Sequence, residues 1–293
     1  RTSSSADTPS EMRRLLLLTL LLTGCAPTEA PAPEPDVGQE PLPAAACVGD
    51  GDGVITAAEI PSVDLALALR SAYLVDASGT ELPADWQDDG WRLGLETLPA
   101  SGEQVFEGPM TLADAWFADR FPDGEWQAVI DHATSTRGVF ARSGDDVVLV
   151  GIASTGPGVT ALRYTPPVPL FALRMAPGDA WDVAADAEGL VDGEEWPQDL
   201  GASGVVSLVH RWTFSVDAAG TAVLPGADLP VLRQRLVLRT EAYNSIAGLF
   251  AADSQRVTFF VAECLGTVAR LRSEVDELDP DFTRTTEILR FGL

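Results

Sequence analysis

From about residue 63 onward, apolar and polar side chains alternate with a period of two. That period marks strands with one buried and one solvated face, as in antiparallel sheets. Val206, Leu208, His210, Trp212, Phe214 and Val216 fall on one face, and Ser207, Arg211, Thr213 and Ser215 on the other. Leu232, Leu236 and Leu238 oppose Arg233, Arg235, Arg239 and Glu241. Val257, Phe259 and Val261 alternate with Thr258, Phe260 and Ala262, and Ala269, Leu271 and Val275 with Arg270, Arg272 and Glu274. The same reading predicts strands over 67–75, 91–98, 126–133, 138–142 and 147–153, and a short helix over 111–119. Turns are predicted at Ser143-Gly144-Asp145-Asp146, Asp217-Ala218-Ala219-Gly220 and Leu265-Gly266. No repeat of 20 to 50 residues is evident, which argues against a propeller or solenoid. The expected fold is mainly all-β: a single antiparallel domain over 63–293, built as a β-sandwich or a strongly curved open sheet with one or two short helices.

Composition narrows the partners. The chain has 293 residues, 46% of them apolar, and a net charge of -25. All 19 basic residues are Arg. Nucleic acid is excluded as a partner, because neutralising phosphates needs clustered cations. Docking on anionic lipid headgroups is disfavoured for the same reason.

The N-terminal region carries a different pattern. Met12, Arg13 and Arg14 precede an apolar run, Leu15 to Leu22, broken only by Thr19. The run is too short to span a bilayer and suits a signal peptide over 12–24. Leu22-Thr23-Gly24-Cys25 resembles the lipobox of bacterial lipoproteins. That resemblance implies a lipid on the Cys25 thiol, cleavage just before it, and anchoring to a membrane. Ala26, where an Asp would imply inner-membrane retention, points to the outer membrane. Residues 1–11 are read as a misassigned start. Residues 25–46 then form the lipidated Cys and a tether, with six prolines among Ala and Glu and almost no large apolar side chain.

Two cysteines remain, Cys47 and Cys264. In an oxidising compartment an even remainder suggests a disulfide, and this one would close about 217 residues. Two buried free thiols are the alternative.

Residues 47–62 hold the sharpest candidate site. Asp50-Gly51-Asp52-Gly53-Val54-Ile55-Thr56-Ala57-Ala58-Glu59 resembles the back of an EF-hand calcium loop. Calcium takes six to eight oxygens from alternating positions around a glycine turn. Aligned on Gly53, the resemblance implies ligands at Asp50, Asp52, the Val54 carbonyl, Thr56 and Glu59. Val48 stands where the first Asp is expected, Pro41 and Pro43 leave no room for a preceding helix, and Pro61 stops the following one. The alternative is a turn locked by Asx hydrogen bonds, with Glu59 in a short capped helix.

No catalytic constellation stands out. There is no Gly-x-Ser-x-Gly elbow, His-Glu-x-x-His or phosphate loop. His210 sits on an apolar strand face and reads as a core histidine, and His132 follows Asp131 at a strand end. Seven Trp supply core and rim aromatics, and Trp196 is the best candidate for an exposed, sugar-stacking position.

The second half carries Tyr164-Thr165-Pro166-Pro167, Pro177-Gly178-Asp179-Ala180-Trp181, the strand around Trp212, Val223-Leu224-Pro225-Gly226 and Val261-Ala262-Glu263-Cys264-Leu265-Gly266. This layout resembles a group of uncharacterised bacterial, myxobacterial-type envelope lipoproteins bearing an EF-hand-like turn. More loosely, it resembles the curved sheets of the lipoprotein-carrier (LolA/LolB-like) class. The resemblance implies the fold and brings no activity. The reading is a non-enzymatic, lipid-anchored envelope protein that shelters an apolar ligand or packs on an envelope partner. Alternatives are a calcium-stabilised surface module for glycan or protein, marked by exposed coplanar Trp, and a hydrolase with two facing carboxylates.

Overall fold

The computed structural model describes residues 49–60, 68–75, 92–95, 102–107, 110–131, 135–144, 146–155, 159–172 and 174–292. The strands are β1 (Ala68–Val75), β2 (Arg92–Gly94), β3 (Gly102–Glu107), β4 (Met110–Thr111), β5 (Trp126–Asp131) and β6 (Thr136–Ser143). Next come β7 (Asp146–Ser154), β8 (Ala161–Phe171), β9 (Ala180–Val191), β10 (Glu194–Trp196) and β11 (Gln198–Asp199). The last five are β12 (Val205–Leu224), β13 (Ala227–Asn244), β14 (Gly248–Ala262), β15 (Gly266–Val275) and β16 (Glu287–Gly292).

They form one mainly antiparallel open sheet, in the order β3-β1-β16-β15-β14-β13-β12-β9-β8-β7-β6-β5-β4. Of the two expected architectures, the curved open sheet is the one present. Its curl shows in side-chain contacts between strands far apart in that order. Arg272 on β15 reaches Asp131 on β5 at 3.2 Å, and the neighbouring Arg270 guanidinium donates to the Ile130 carbonyl. The two flanks of the sheet therefore face each other.

Register decides which side chains look inward. His210, Trp212 and Phe214 pair with Thr240, Leu238 and Leu236 on β13, which pair with Asp253, Gln255 and Val257 on β14. Cross-strand partners share a face, so this set lines the concave side. The opposite face carries Phe260, Ala269, Leu271 and Ile288, which pack with Leu95 and Phe282 in an outer cluster. A second outer cluster, with Phe117, Phe121, Val139 and Val150, lies behind β6 and β7.

Three local expectations are corrected. Asp217–Gly220 is not a turn; β12 runs through it with a register shift between Val216 and Ala218. A bulge adds one residue and so exchanges the faces. Ahead of it, Phe214 faces inward; beyond it, Ala218, Ala222 and Leu224 join the outer cluster. The bulged Asp217 is held by Arg233 at 2.7 and 3.0 Å. The reversal comes at Pro225-Gly226 instead, between β12 and β13. The segment 111–119 is not a helix: it winds through successive tight turns, Ala115 N–H to Leu112 O and Ala118 N–H to Ala115 O, ending in a single 3-10 turn at Ala118–Arg120. Burying Phe117 and Phe121 on the sheet outweighs a regular helix there. The strand expected over 91–98 ends at Gly94 in β2, short of Leu95, and runs parallel to the end of β12; residues 91 and 96–98 lie outside the described residues.

Candidate functional site

The concave face holds a cavity of about 170 Å³. Trp126, Phe140, Phe214, Phe259, Leu170 and Leu289 give it a mainly apolar wall, to which Gln234, Thr267 and Arg270 add polar groups. These residues come from strands spread across the sheet, so the cavity exists only because the sheet curls. The aromatics in and beside it are ordered: Trp126 stacks on Phe140 at 6.0 Å, and the lining Phe214 stacks on its neighbours Trp181 at 4.9 Å and Trp212 at 6.1 Å. A dry cavity of about 150 Å³ holds a benzene-sized guest. The space here suits one ring or a short alkyl segment.

Ionic groups edge the cavity where the flanks meet. Glu287 accepts from Arg270 Nε at 2.9 Å and lies 3.4 Å from Arg272. Burial alone would lower the Arg272 pKa, but the Glu287 and Asp131 charges outweigh it and hold it above its usual value. Arg270 and Glu287 are both buried.

Beyond Trp212 the concave face becomes polar. His210 Nδ1 and the Tyr164 hydroxyl are 3.2 Å apart, and both residues are buried. Burial raises the Tyr164 pKa and lowers that of His210 to about 4, so both are neutral at pH 7. Nε2 of His210 and Nε1 of Trp212 are buried without a hydrogen-bond partner. Across the sheet, burial and then the Asp276 charge raise the Asp253 carboxyl to about 6. His210 is buried, as the sequence reading expected of a core histidine, but the face around it is polar rather than apolar. His132 lies outside the described residues.

One end of the curled sheet is closed by residues 49–60. Ile55 bridges Met175, the Cys264 N–H donates to the Glu59 carbonyl at 2.8 Å, and Ile60 lines the cavity. The loop has the Asx geometry of the sequence alternative. Asp50 Oδ1 accepts the Asp52 N–H at 3.0 Å, and Asp52 Oδ1 accepts the Val54 N–H at 2.7 Å. Gly51 and Gly53, at φ of +72° and +77°, make the reversals that side chains would strain. Glu59 closes a single 3-10 turn, accepting from the Thr56 N–H at 3.0 Å and the Thr56 hydroxyl at 2.9 Å.

Of the expected calcium ligands, the fold brings Asp50 and Glu59 together and adds one the sequence reading missed, Glu263. A carboxylate oxygen from each lies within 4.8 Å of the others. Asp52 and Thr56 are turned to Val54 and Glu59 instead, and Val54 takes part through its N–H. Glu263 also accepts the Gly51 N–H at 2.9 Å. The signal that could have found it is Cys264 next door. A bridge to Cys47 would bring residue 263 beside position 48, where the loop lacks its Asp. Cys264 is disulfide-bonded, and the other cysteines, Cys25 and Cys47, lie outside the described residues.

Three carboxylate oxygens at this spacing can share one cation with Ca–O distances of about 2.3–2.6 Å. With a dissociation constant of roughly 0.1–1 mM, about 5 mM calcium should add roughly 1–2 kcal/mol of stability. Thermal unfolding in calcium against chelator measures this, and Glu263→Gln should abolish the gain. Equal midpoints in the two solutions remove calcium from the account.

The aromatic expectations divide. Among the described residues, Trp126 and Trp212 are buried, Trp181 and Trp196 half-buried, and Trp116, at 49%, is the exposed one. Trp196 is thus less open than its Gly- and acid-rich surroundings implied. Trp116 is tied by its Nε1 to the Ser154 carbonyl at 3.0 Å. No helix among the described residues is long and apolar enough to cross a membrane. No family model matches this chain, and the comparisons found neither a curated protein nor a solved structure that matches it.

Proposed function

We propose that this is a lipid-anchored bacterial envelope protein, held at the outer membrane through Cys25, whose curled sheet shelters an apolar guest in its concave face. The observation that carries the reading is the apolar cavity between the two flanks, walled by Trp126, Phe140, Phe214 and Phe259. A pocket with such a wall, though partly open to solvent, favours a nonpolar occupant over water. Its size limits that guest to one ring or a short alkyl segment. The ligand enters as a passive occupant; the reading assigns no reaction to the site. Native mass spectrometry tests it: a fraction of the protein should carry a non-covalent apolar adduct, or acquire one from added hexanol. A protein that stays bare in both conditions has no such guest.

A second reading, a calcium-stabilised surface module for protein or glycan, is favoured by Glu263 completing the acidic set with Asp50 and Glu59. The two readings are compatible. The acidic set lies beside Ile60 and Leu265, which both line the cavity. Calcium there would brace the end of the sheet that contains the guest.

A further inference from the structure

The ends of β13 and β14 project an apolar tip. Ile246, in the turn between them, is 72% exposed, and Leu249 and Phe250 beside it are also exposed. A second segment, with Leu200 and Val205 exposed, lies against this turn. The two are stitched together: Ser245 N–H donates to the Val205 carbonyl at 2.9 Å, Val205 N–H to Ser245 Oγ at 2.9 Å, and Asn244 Nδ2 to the Ser203 carbonyl at 2.8 Å. They form one surface.

We infer that this tip is a membrane-contacting wedge that enters the interface of an uncharged or zwitterionic bilayer. Three observations support it. First, neither Leu200 to Val209 nor Ala242 to Ala252 contains an Asp, Glu or Arg, in a chain whose net charge is -25. Charge resumes at the borders in Asp199, Asp253 and the buried Glu241 with its partners Arg211 and Arg239. The tip is thus the part of this surface that enters lipid without burying a charge. Second, its backbone is satisfied from within. Besides Ser245 and Val205, the N–H groups of Ile246 and Ala247 donate to Asn244 Oδ1 at 2.8 and 3.1 Å, and that of Gly204 to the Gly201 carbonyl at 3.0 Å. Lipid offers no partners for backbone groups, so internal pairing is what insertion requires. Third, the chain length permits it. Gly51 is hydrogen-bonded to Glu263, in the turn after β14, whereas the tip stands before β14. The 15 residues of β14 separate the two by about 50 Å. The 23 residues between Cys25 and Gly49 can extend to about 80 Å. On the anchored reading, lipid and tip can therefore meet the same bilayer. The net charge of -25 makes zwitterionic lipid the preferred surface.

The test uses the chain from residue 25, the mature form on the anchored reading, with Cys25→Ser, which removes the lipid acceptor, and flotation with phosphatidylcholine vesicles. The protein should float, and less so as phosphatidylglycerol replaces phosphatidylcholine. Ile246→Asp with Leu249→Asp should lower the floated fraction about tenfold, and Phe250→Ser alone should lower it severalfold. The wedge is overturned if the parent stays with the unbound fraction, or if the variants float as well as it does. Tip-dependent dimerisation in place of flotation also overturns it, because the surface would then serve a second copy. Fatty-acid labelling of the unsubstituted protein in cells reports on Cys25 separately, so failure of the anchor and failure of the wedge are distinguishable.

Discussion

Replacing Glu287 by Gln is expected to destabilise the protein by about 3–5 kcal/mol, the cost of leaving the buried Arg270 without its counter-charge while Arg272 keeps Asp131. Glu287 is the shared carboxylate of Arg270 and Arg272, and all three lie where the two flanks of the sheet meet. Gln preserves the shape and some hydrogen bonding but removes the charge. A denaturant midpoint, converted with an unchanged slope, measures the effect. A compensating pair, Glu287→Met with Arg270→Leu, which leaves Arg272 with Asp131, should recover much of the loss, because that buried pair is then no longer desolvated. If Glu287→Gln costs less than about 1 kcal/mol, Glu287 is not the counter-charge on which the buried Arg270 depends.

His210 should make the fold acid-sensitive in a definable window. Its folded pKa, about 4, lies below its ordinary value of 6.5 because burial penalises the cation. Above pH 6.5 both folded and unfolded states carry neutral imidazole, and His210 adds no pH dependence. As pH falls below 6.5 the unfolded chain takes up a proton that the folded one refuses. Stability is therefore lost down to about pH 4, by roughly 2 kcal/mol at pH 5 and 3 kcal/mol at pH 4. Asp253 works the other way. Its folded pKa, raised to about 6, gives back stability as the carboxyl protonates, less than its shift implies because the group is half-exposed. His210→Asn, which keeps a polar atom near the Tyr164 hydroxyl, should flatten the profile between pH 6.5 and 4. Parallel profiles for parent and variant would show that His210 does not titrate across unfolding.

The strands legible in the sequence are those with large apolar side chains on alternate positions. β12 to β15 show this plainly, and β5 to β7 nearly as well. β9 escaped because its inward set is Trp181, Val183, Ala185 and Ala187 while Ala184 points outward, so alternation carries little contrast. β8 escaped because Pro166, Pro167 and Pro169 argue against a strand interior. Pro166 and Pro167 are exposed, where the register with β7 jumps between Leu149 and Gly151. The face exchange in β12 was hidden because Asp217-Ala218-Ala219-Gly220 reads as a turn, and an inserted residue has the same local composition. At the site, Asp50 and Glu59 were visible because their spacing is local. Glu263 is 212 residues from the Gly51 it contacts, beyond the reach of any loop motif. The cavity was invisible for a related reason: its wall is assembled from both flanks of a curled sheet, and curl is not written in any one strand.

The central claim is that the concave face takes an apolar guest of limited size. A series of straight-chain alcohols, titrated into the protein by calorimetry, tests it most directly. Affinity should rise about fourfold per added carbon, the value of one buried methylene. It should level off near six carbons, the content of a benzene-sized cavity. Ala128→Trp, which projects a ring into the space, should remove the dependence on length, and Thr267→Phe should weaken it. Affinity that climbs steadily past ten carbons, or the same series with and without Ala128→Trp, would contradict the account, because the alcohols would then be binding somewhere other than between the flanks.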